Sequence, residues 1–468
     1  MLDNSPEFLY AWLGLAKIGG VLVAINTAFR AAEAGYLLSD SGTRLALVGA
    51  NHLPVFSSVD PAASALLEKT LVVGAHPDYD EFGEAMAAAD PVAPGVDLAA
   101  DDVISLIYTS GTTGYPKGVM QTHGNFVLTG QAYPYWMRMT RGQRIYACLP
   151  LFHINSQSYS TMGAIGTRGT VVLAPRFSAS TFWPDVRRHK VNVFNLIGAM
   201  AVILSKKAPA PEDCANDVHL AYGVPALAPE LRDDIERKFD MTVISGFGMS
   251  ETTFGLLEPL DEVRRDGSMG VPRHHPDPSV PRTEAKIVDD EGRDVAPGVV
   301  GELLLRNAAM MTGYFGDEER TAAALVDGWL HTGDSAWCDD DGYYFFVDRK
   351  KDIVRRRGEN ISSLEVERII EQHPGVLEAA VVGVPSELTD EEVLVYVVRH
   401  QGADVDAAGI FDWCRERLAY FKVPRYLEFV DGELPKTPTA KVQKARLRDL
   451  VPGALGVRVE REPDVRRA

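Results

Sequence analysis

A chain of 468 residues, 46% apolar and 24% charged, has an ordinary globular composition, and its length allows about three domains or subdomains with sizeable cores. A formal net charge of -18 argues against non-specific binding to nucleic acid and makes local basic clusters informative, since a site for phosphorylated ligands must be positive within an acidic surface. Cys148, Cys214, Cys338 and Cys414 are too scattered for a metal pattern and too few for a disulfide framework, so a cytoplasmic location is expected.

Residues 1–7 lack the basic-then-apolar order of a signal peptide, and 7–17 read as a helix. Between 11 and 243, β-branched runs at 45–48, 71–73, 103–104, 170–173 and 192–194 alternate with helix-like segments such as 180–189 and 228–239. That alternation predicts an α/β fold of parallel sheets flanked by helices. The apolar stretch 196–204 is half of what a membrane span needs, so no integral membrane segment is expected. From 284 to 347 short strands separated by turn residues (Asp290, Gly292, Pro297, Gly298) predict a small β-barrel-like subdomain. Ser362 and Glu365 form a capping box, and Val366, Ile369 and Ile370 give the following helix one apolar face. Strands at 376–384 and 393–398 and a helix at 407–418 complete a small α+β unit. The charged, turn-rich residues 452–468 are expected to be a disordered tail.

The most informative segment is 108–118, which follows the apolar run 103–107. Gly111 and Gly114 let the backbone aim N–H groups at an anion, Thr109, Ser110, Thr112 and Thr113 add hydroxyl donors, and Lys117 adds a mobile positive charge. This is a phosphate cradle, but not the P-loop of nucleoside triphosphatases, because Pro116 occupies the place where that pattern needs its Gly-Lys pair.

The segment resembles the signature loop of the adenylate-forming enzymes, which include acyl-CoA synthetases, aryl-CoA ligases, luciferases and peptide-synthetase adenylation domains. Four further motifs of that family follow in order. Residues 246–252, Gly-Phe-Gly-Met-Ser-Glu-Thr, resemble its adenine and magnesium segment, and 331–334, His-Thr-Gly-Asp, its ribose segment. Residues 347–353 with Gly358 resemble the interdomain hinge, and 434–441 the segment that ends in a catalytic lysine. The resemblance implies ATP, Mg2+ and CoA as cofactor and co-substrates, a small carboxylic acid as the further partner, and a homodimer as the candidate assembly. It further implies an N-terminal AMP-binding domain over 1–349, hinged to a mobile C-terminal domain over 350–451. Family members carry some tens of residues before the helix that 7–17 resembles, so the chain is expected to be shortened at its start, either because the start codon is assigned too late or because the first part of the N-terminal subdomain is lost, which would expose apolar surface there.

Each motif also has a chemical rationale. Bringing a carboxylate onto the α-phosphate of a polyanion requires a divalent metal and fixed cations, and Glu251 is the hard oxygen ligand suited to magnesium. Phe247 sits between two glycines and either lies flat on adenine or belongs to the core, while Gly248, Met249 and Ser250 complete that segment. Asp334 suits the ribose hydroxyls, and Arg349 the ribose or a phosphate. Lys441 is expected to carry adenylation, since an ammonium about 4 Å from developing negative charge is worth roughly 4 kcal/mol at an effective dielectric near 20. Ala440 stands where the family has glycine, at a cost of order 1 kcal/mol if the backbone needs positive φ. By resemblance Lys351 is the hinge residue, and Arg357 and Gly358 line the approach of the CoA thiol.

The acyl pocket is expected from 151–155, with His153 either beside the carboxylate or a structural hydrogen-bonder, together with the helix around 196–204 and the loop carrying Met249. Gly223, Val224 and Pro225 are expected to flank adenine and wall the same pocket. Residues 151–157, Phe182, Trp183 and 355–360 resemble most the carnitine- and crotonobetaine-CoA ligase branch. No carboxylate or aromatic cage for a quaternary ammonium is evident, which leaves a short or medium fatty acid or an aryl acid open. The expected function is an ATP-dependent acyl-CoA ligase working through acyl-AMP with release of pyrophosphate. Transfer to a carrier protein or an amine, or weakly catalytic nucleotide binding, are the competing readings.

Overall fold

The computed structural model describes the whole chain except residues 93, 110–115, 225, 350, 351, 357, 358, 386–390, 419, 437–440, 451, 452, 454 and 462–468. Two compact units emerge, one of Met1–Lys286, Leu304–Thr332 and Cys338–Phe345, the other of Ile287–Leu303, Gly333–Trp337 and Phe346–Ala468. The α/β architecture expected from the alternating pattern is present. In the first unit the parallel strands Thr170–Leu173, Arg144–Ala147, Val193–Ile197, Leu220–Val224 and Thr242–Met249 lie in that spatial order. The antiparallel strands Thr252–Leu257 and Ser268–Pro272 extend the sheet. Two smaller sheets carry Leu22–Val23, Val103–Thr109 and Lys117–Thr122, and Leu45–Gly49, Lys69–Val73 and Asp80–Glu81.

The large sheet is held on one face by a cluster in which Phe182, Trp183, Phe194 and Phe239 are fully buried. Trp183 stacks on Phe239 with ring centroids 4.1 Å apart, so Phe182 and Trp183 serve the core. The apolar stretch read as a helix around 196–204 is split by Gly198: Val193–Ile197 is a strand, and only Gly198–Ser205 is helical. No helix among the described residues is long and apolar enough to cross a membrane.

In the second unit, strands Val376–Pro385, Glu391–Arg399, Tyr426–Phe429 and Arg458–Glu460 form one sheet, with helices Ser363–Glu371 and Ala407–Arg417 contributing to its core. Ser362 accepts from the Glu365 N–H as the capping box requires, and Asp348 accepts from the Ser363 N–H at 2.7 Å. Those bonds fasten residues 346–349 to the second unit, ahead of the boundary expected at 349. The expected tail also contains order: Arg458–Glu460 is a strand, because Arg458 Nε meets Glu428, a carboxylate buried in the same sheet, at 2.5 Å. A buried carboxylate needs such a partner.

Trp183→Ala is expected to lower the stability of the first unit by about 3–5 kcal/mol, read from the midpoint of denaturant unfolding, since it empties an aromatic site that neighbours cannot refill.

Candidate active site

Thr109 ends one strand and Lys117 begins the next, and the two residues face each other across an antiparallel pair. The cradle is expected between them. Its residues Ser110, Gly111, Thr112, Thr113 and Gly114 lie outside the described ones. At its edge the Thr109 hydroxyl is buried with no hydrogen-bond partner among the described residues, which suits a donor kept for a ligand oxygen.

Two backbone bonds zip residues 313–315 along the strand Lys117–Thr122: Met120 N–H donates to Gly313 O at 3.0 Å and Phe315 N–H to Gly118 O at 2.8 Å. They deliver Tyr314 to Lys117. Glu251 arrives from a two-residue turn, set by the pairing of Met249 with Thr252, and is held by Met311 N–H donating to its carbonyl at 2.7 Å. Gln121 Nε2 donates to the carbonyl of Ser250 at 2.6 Å and steadies the same turn.

A compact charge cluster results. Lys117 Nζ lies 3.3 Å from Glu251 Oε1, 3.8 Å from the centroid of the Tyr314 ring, and hydrogen-bonds the Tyr314 hydroxyl, which donates to Glu251 Oε1 at 2.9 Å. Glu251 is 5% exposed, and these two partners offset the cost of its burial. Burial and the Glu251 carboxylate both push the Tyr314 phenol up, so the hydroxyl remains a donor. Tyr314 was not anticipated from the sequence; the signal available was an aromatic residue within a glycine-flanked stretch (Gly313, Gly316), the same cue that marked Phe247.

Gly223 and Val224 lie at the carboxyl end of the strand Leu220–Val224, and Met249 at that of the adjoining strand Thr242–Met249, which is where ligands of parallel sheets bind. Pro225 lies outside the described residues. Phe247 and Gly248 sit on the latter strand, with Phe247 mostly buried. Met249 and Ile154 pack against the cluster of Ile107, Val119, Met311 and Tyr314, so the segment after His153 meets the charge cluster. His153 is half-buried, its ring 4.7 Å from that of Phe152, and its carbonyl accepts from Gln157 N–H at the start of the wide turn Asn155–Thr161.

In the second unit Asp334 and Arg349 are brought together, with Arg349 Nε 3.6 Å from Asp334 Oδ1. Gly333 takes φ of 70° within the strand Trp329–Cys338, which runs on through Asp334. Lys441 belongs to the same cluster: desolvation and the Arg349 guanidinium pull its pKa below the usual lysine value, and Asp334 opposes them. Lys350, Lys351, Arg357, Gly358 and Ala440 lie outside the described residues.

A magnesium ion carried by a triphosphate needs only one or two protein carboxylates beside phosphate oxygens, and Glu251 fits that role, as a buried hard donor beside Lys117. Among the described residues no set of three or more His, Cys, Asp or Glu side chains forms a separate metal centre.

A family model described as AMP-binding enzyme matches residues 1–315, and one described as AMP-binding enzyme C-terminal domain matches residues 365–441. The crotonobetaine/carnitine–CoA ligase of Salmonella typhimurium strain LT2 is 32% identical over 96% of this chain and 87% of its own. The anthranilate CoA ligase AuaEII in complex with anthranoyl-AMP superposes with a TM-score of 0.84 at 28% identity, covering 96% of this chain and 86% of that one. The O-succinylbenzoate coenzyme A synthetase of Bacillus subtilis, bound to ATP and magnesium, does so with a TM-score of 0.82 at 28% identity, covering 96% and 88%. The chain belongs to the AMP-binding enzyme family and is an ATP-dependent acyl-CoA ligase, forming an acyl-AMP and passing the acyl group to CoA.

Two outcomes follow from this geometry. Tyr314→Phe, which removes a hydrogen bond to a charged group worth about 1.5 kcal/mol, should raise KM for magnesium-ATP about tenfold with kcat changed less, in a pyrophosphate-release assay. In pH-resolved amine labelling read by mass spectrometry, Lys441 should titrate below an ordinary lysine; Asp334→Asn should lower its pKa further and Arg349→Gln should raise it.

Proposed function

We propose that Lys117, Glu251, Asp334, Arg349 and Lys441 handle the nucleotide in this acyl-CoA ligase, and that the observation carrying this reading is the Lys117–Tyr314–Glu251 cluster at the end of the strand pair where Thr109 faces Lys117. Lys117 and the hydroxyls of the loop bind the β- and γ-phosphates, the leaving pyrophosphate, while Glu251 supplies the carboxylate for a magnesium ion that neutralises phosphate charge. Asp334 accepts from the ribose hydroxyls, with Arg349 beside it. Lys441 lies against the carboxylate oxygen and the α-phosphate as the new bond forms, where a fixed positive charge offsets the developing negative charge.

After adenylation the C-terminal domain turns about Lys351, Lys441 leaves, and Arg357 and Gly358 line the approach of the CoA thiol to the same carbonyl carbon. His153, at the start of the wide turn, stands by that carbon; Phe247 and Gly223 to Val224 border adenine. The acid is drawn from those that the pocket around Ile154, Asn155 and Met249 admits. We place the protein in the cytoplasm, in keeping with cysteines that are all unpaired, and as a homodimer.

Purified protein supplied with a panel of carboxylic acids is expected to catalyse ATP–pyrophosphate exchange and, on adding CoA, to release AMP; AMP release with an amine or carrier protein but not with CoA would reassign the acceptor. Lys441→Ala should lower the exchange several hundred-fold, the rate equivalent of roughly 4 kcal/mol, while thioester formation from pre-made acyl-AMP falls far less.

A further inference from the structure

Arg273 is 4% exposed and lies where residues adjoining three of the segments expected to wall the acyl pocket meet. Its Nη2 donates to the Tyr159 hydroxyl at 2.9 Å and to the Phe247 carbonyl at 2.9 Å, and its Nη1 to the Tyr222 hydroxyl at 3.3 Å. Tyr159 lies on the wide turn that follows His153, Tyr222 precedes Gly223 on its strand, and Phe247 is the second residue of the segment 246–252. The backbone of Gly248 presses directly on the group: a Cβ there would stand 2.8 Å from Arg273 Nη2 and 2.9 Å from the Tyr159 hydroxyl.

Two features of this guanidinium are not explained by a bracing role. The first is its charge. Among the described residues no carboxylate lies within ion-pair distance, and the groups that act on it are the phenols of Tyr159 and Tyr222. Burial pushes the Tyr159 phenol up, so it is neutral and is no counter-ion. Rings of Trp136, Tyr159 and Tyr222, with centroids 4.8, 5.3 and 5.6 Å from the guanidinium carbon, ease its desolvation without cancelling its charge. The second is an unused donor: Nε is buried with no acceptor among the described residues. Bracing Phe247 would need only a neutral donor. A buried, unneutralised cation with spare N–H capacity is complementary to an anion.

We infer that Arg273, with the hydroxyls of Tyr159 and Tyr222, is a specificity-determining group at the inner end of the acyl pocket and that the acid activated there carries a second anionic group. The inference rests on the ligase reading above and names its substrate class. It also separates this chain from the ligases named for carnitine and crotonobetaine: the aromatic residues that would cage a quaternary ammonium are filled by the protein's own cation, which repels one.

The test is ATP–pyrophosphate exchange by the full chain with aliphatic dicarboxylates of three to six carbons, monocarboxylates of equal length, and crotonobetaine. Wild-type kcat/KM should favour a dicarboxylate over its monocarboxylate counterpart by at least tenfold, with crotonobetaine among the poorest. Arg273→Met should reverse that preference through KM, and Arg273→Lys should retain part of it. A general loss of fold in either variant would lower all acids alike, and the wild-type ratios then decide. Equal or better use of monocarboxylates or crotonobetaine by the wild type overturns this inference and leaves the ligase reading standing; silence with every acid overturns both.

Discussion

The ion pair between Lys117 and Glu251, bridged by the Tyr314 hydroxyl, is the constraint on which the first unit's chemistry depends. Opposite charges 3.3 Å apart attract by about 5 kcal/mol at an effective dielectric near 20, before the cost of removing both from water. A triphosphate with its magnesium offers each partner a stronger opposite charge, phosphate for the lysine and metal for the glutamate. On the proposed function, the pair would hold both groups in place until the substrate separates them. Its geometry is inherited from backbone: the hairpin register sets Lys117, the zipped segment at 313–315 sets Tyr314, and the turn between Met249 and Thr252 sets Glu251.

The second unit repeats the theme with different groups. Asp334 and Arg349 lie 3.6 Å apart, an acceptor of the kind ribose hydroxyls need beside a donor of the kind a ribose or phosphate oxygen needs, and Lys441 feels both. An ammonium beside a guanidinium, with its pKa lowered, is poised to gain from any anion brought next to it. The arrangement stores its charges near one another and lets substrate, not solvent, complete their pairing.

Much of this was legible in the sequence because the chemistry is local. Glycines and hydroxyls closed by a lysine mean an anion site wherever they occur, and alternating β-branched and helical runs mean parallel sheets with ligands at their carboxyl ends. Groups whose meaning is tertiary were not legible. Tyr314 gains its role only when backbone pairing carries it to Lys117. Arg273, after Pro272 and before two histidines, reads as a surface arginine, and only the converging tyrosines reveal a buried charge. The strand at Arg458–Glu460 was hidden for a related reason: Val457, Arg458, Val459 and Glu460 alternate as a strand should, but the buried Glu428 that anchors it lies 30 residues away. The helix expected around 196–204 was misplaced at its start because an apolar β-branched run does not distinguish a core strand from a helix, and Gly198 was the only break between them.

The most direct measurement of the central claim is an experimental structure of the protein with magnesium and a non-hydrolysable ATP analogue. The account predicts that the Lys117–Glu251 pair opens, with the Lys117 ammonium on a phosphate oxygen and the Glu251 carboxylate on the metal or on a water bound to it. A nucleotide bound elsewhere, with Lys117 still paired to Glu251 through Tyr314, would contradict it.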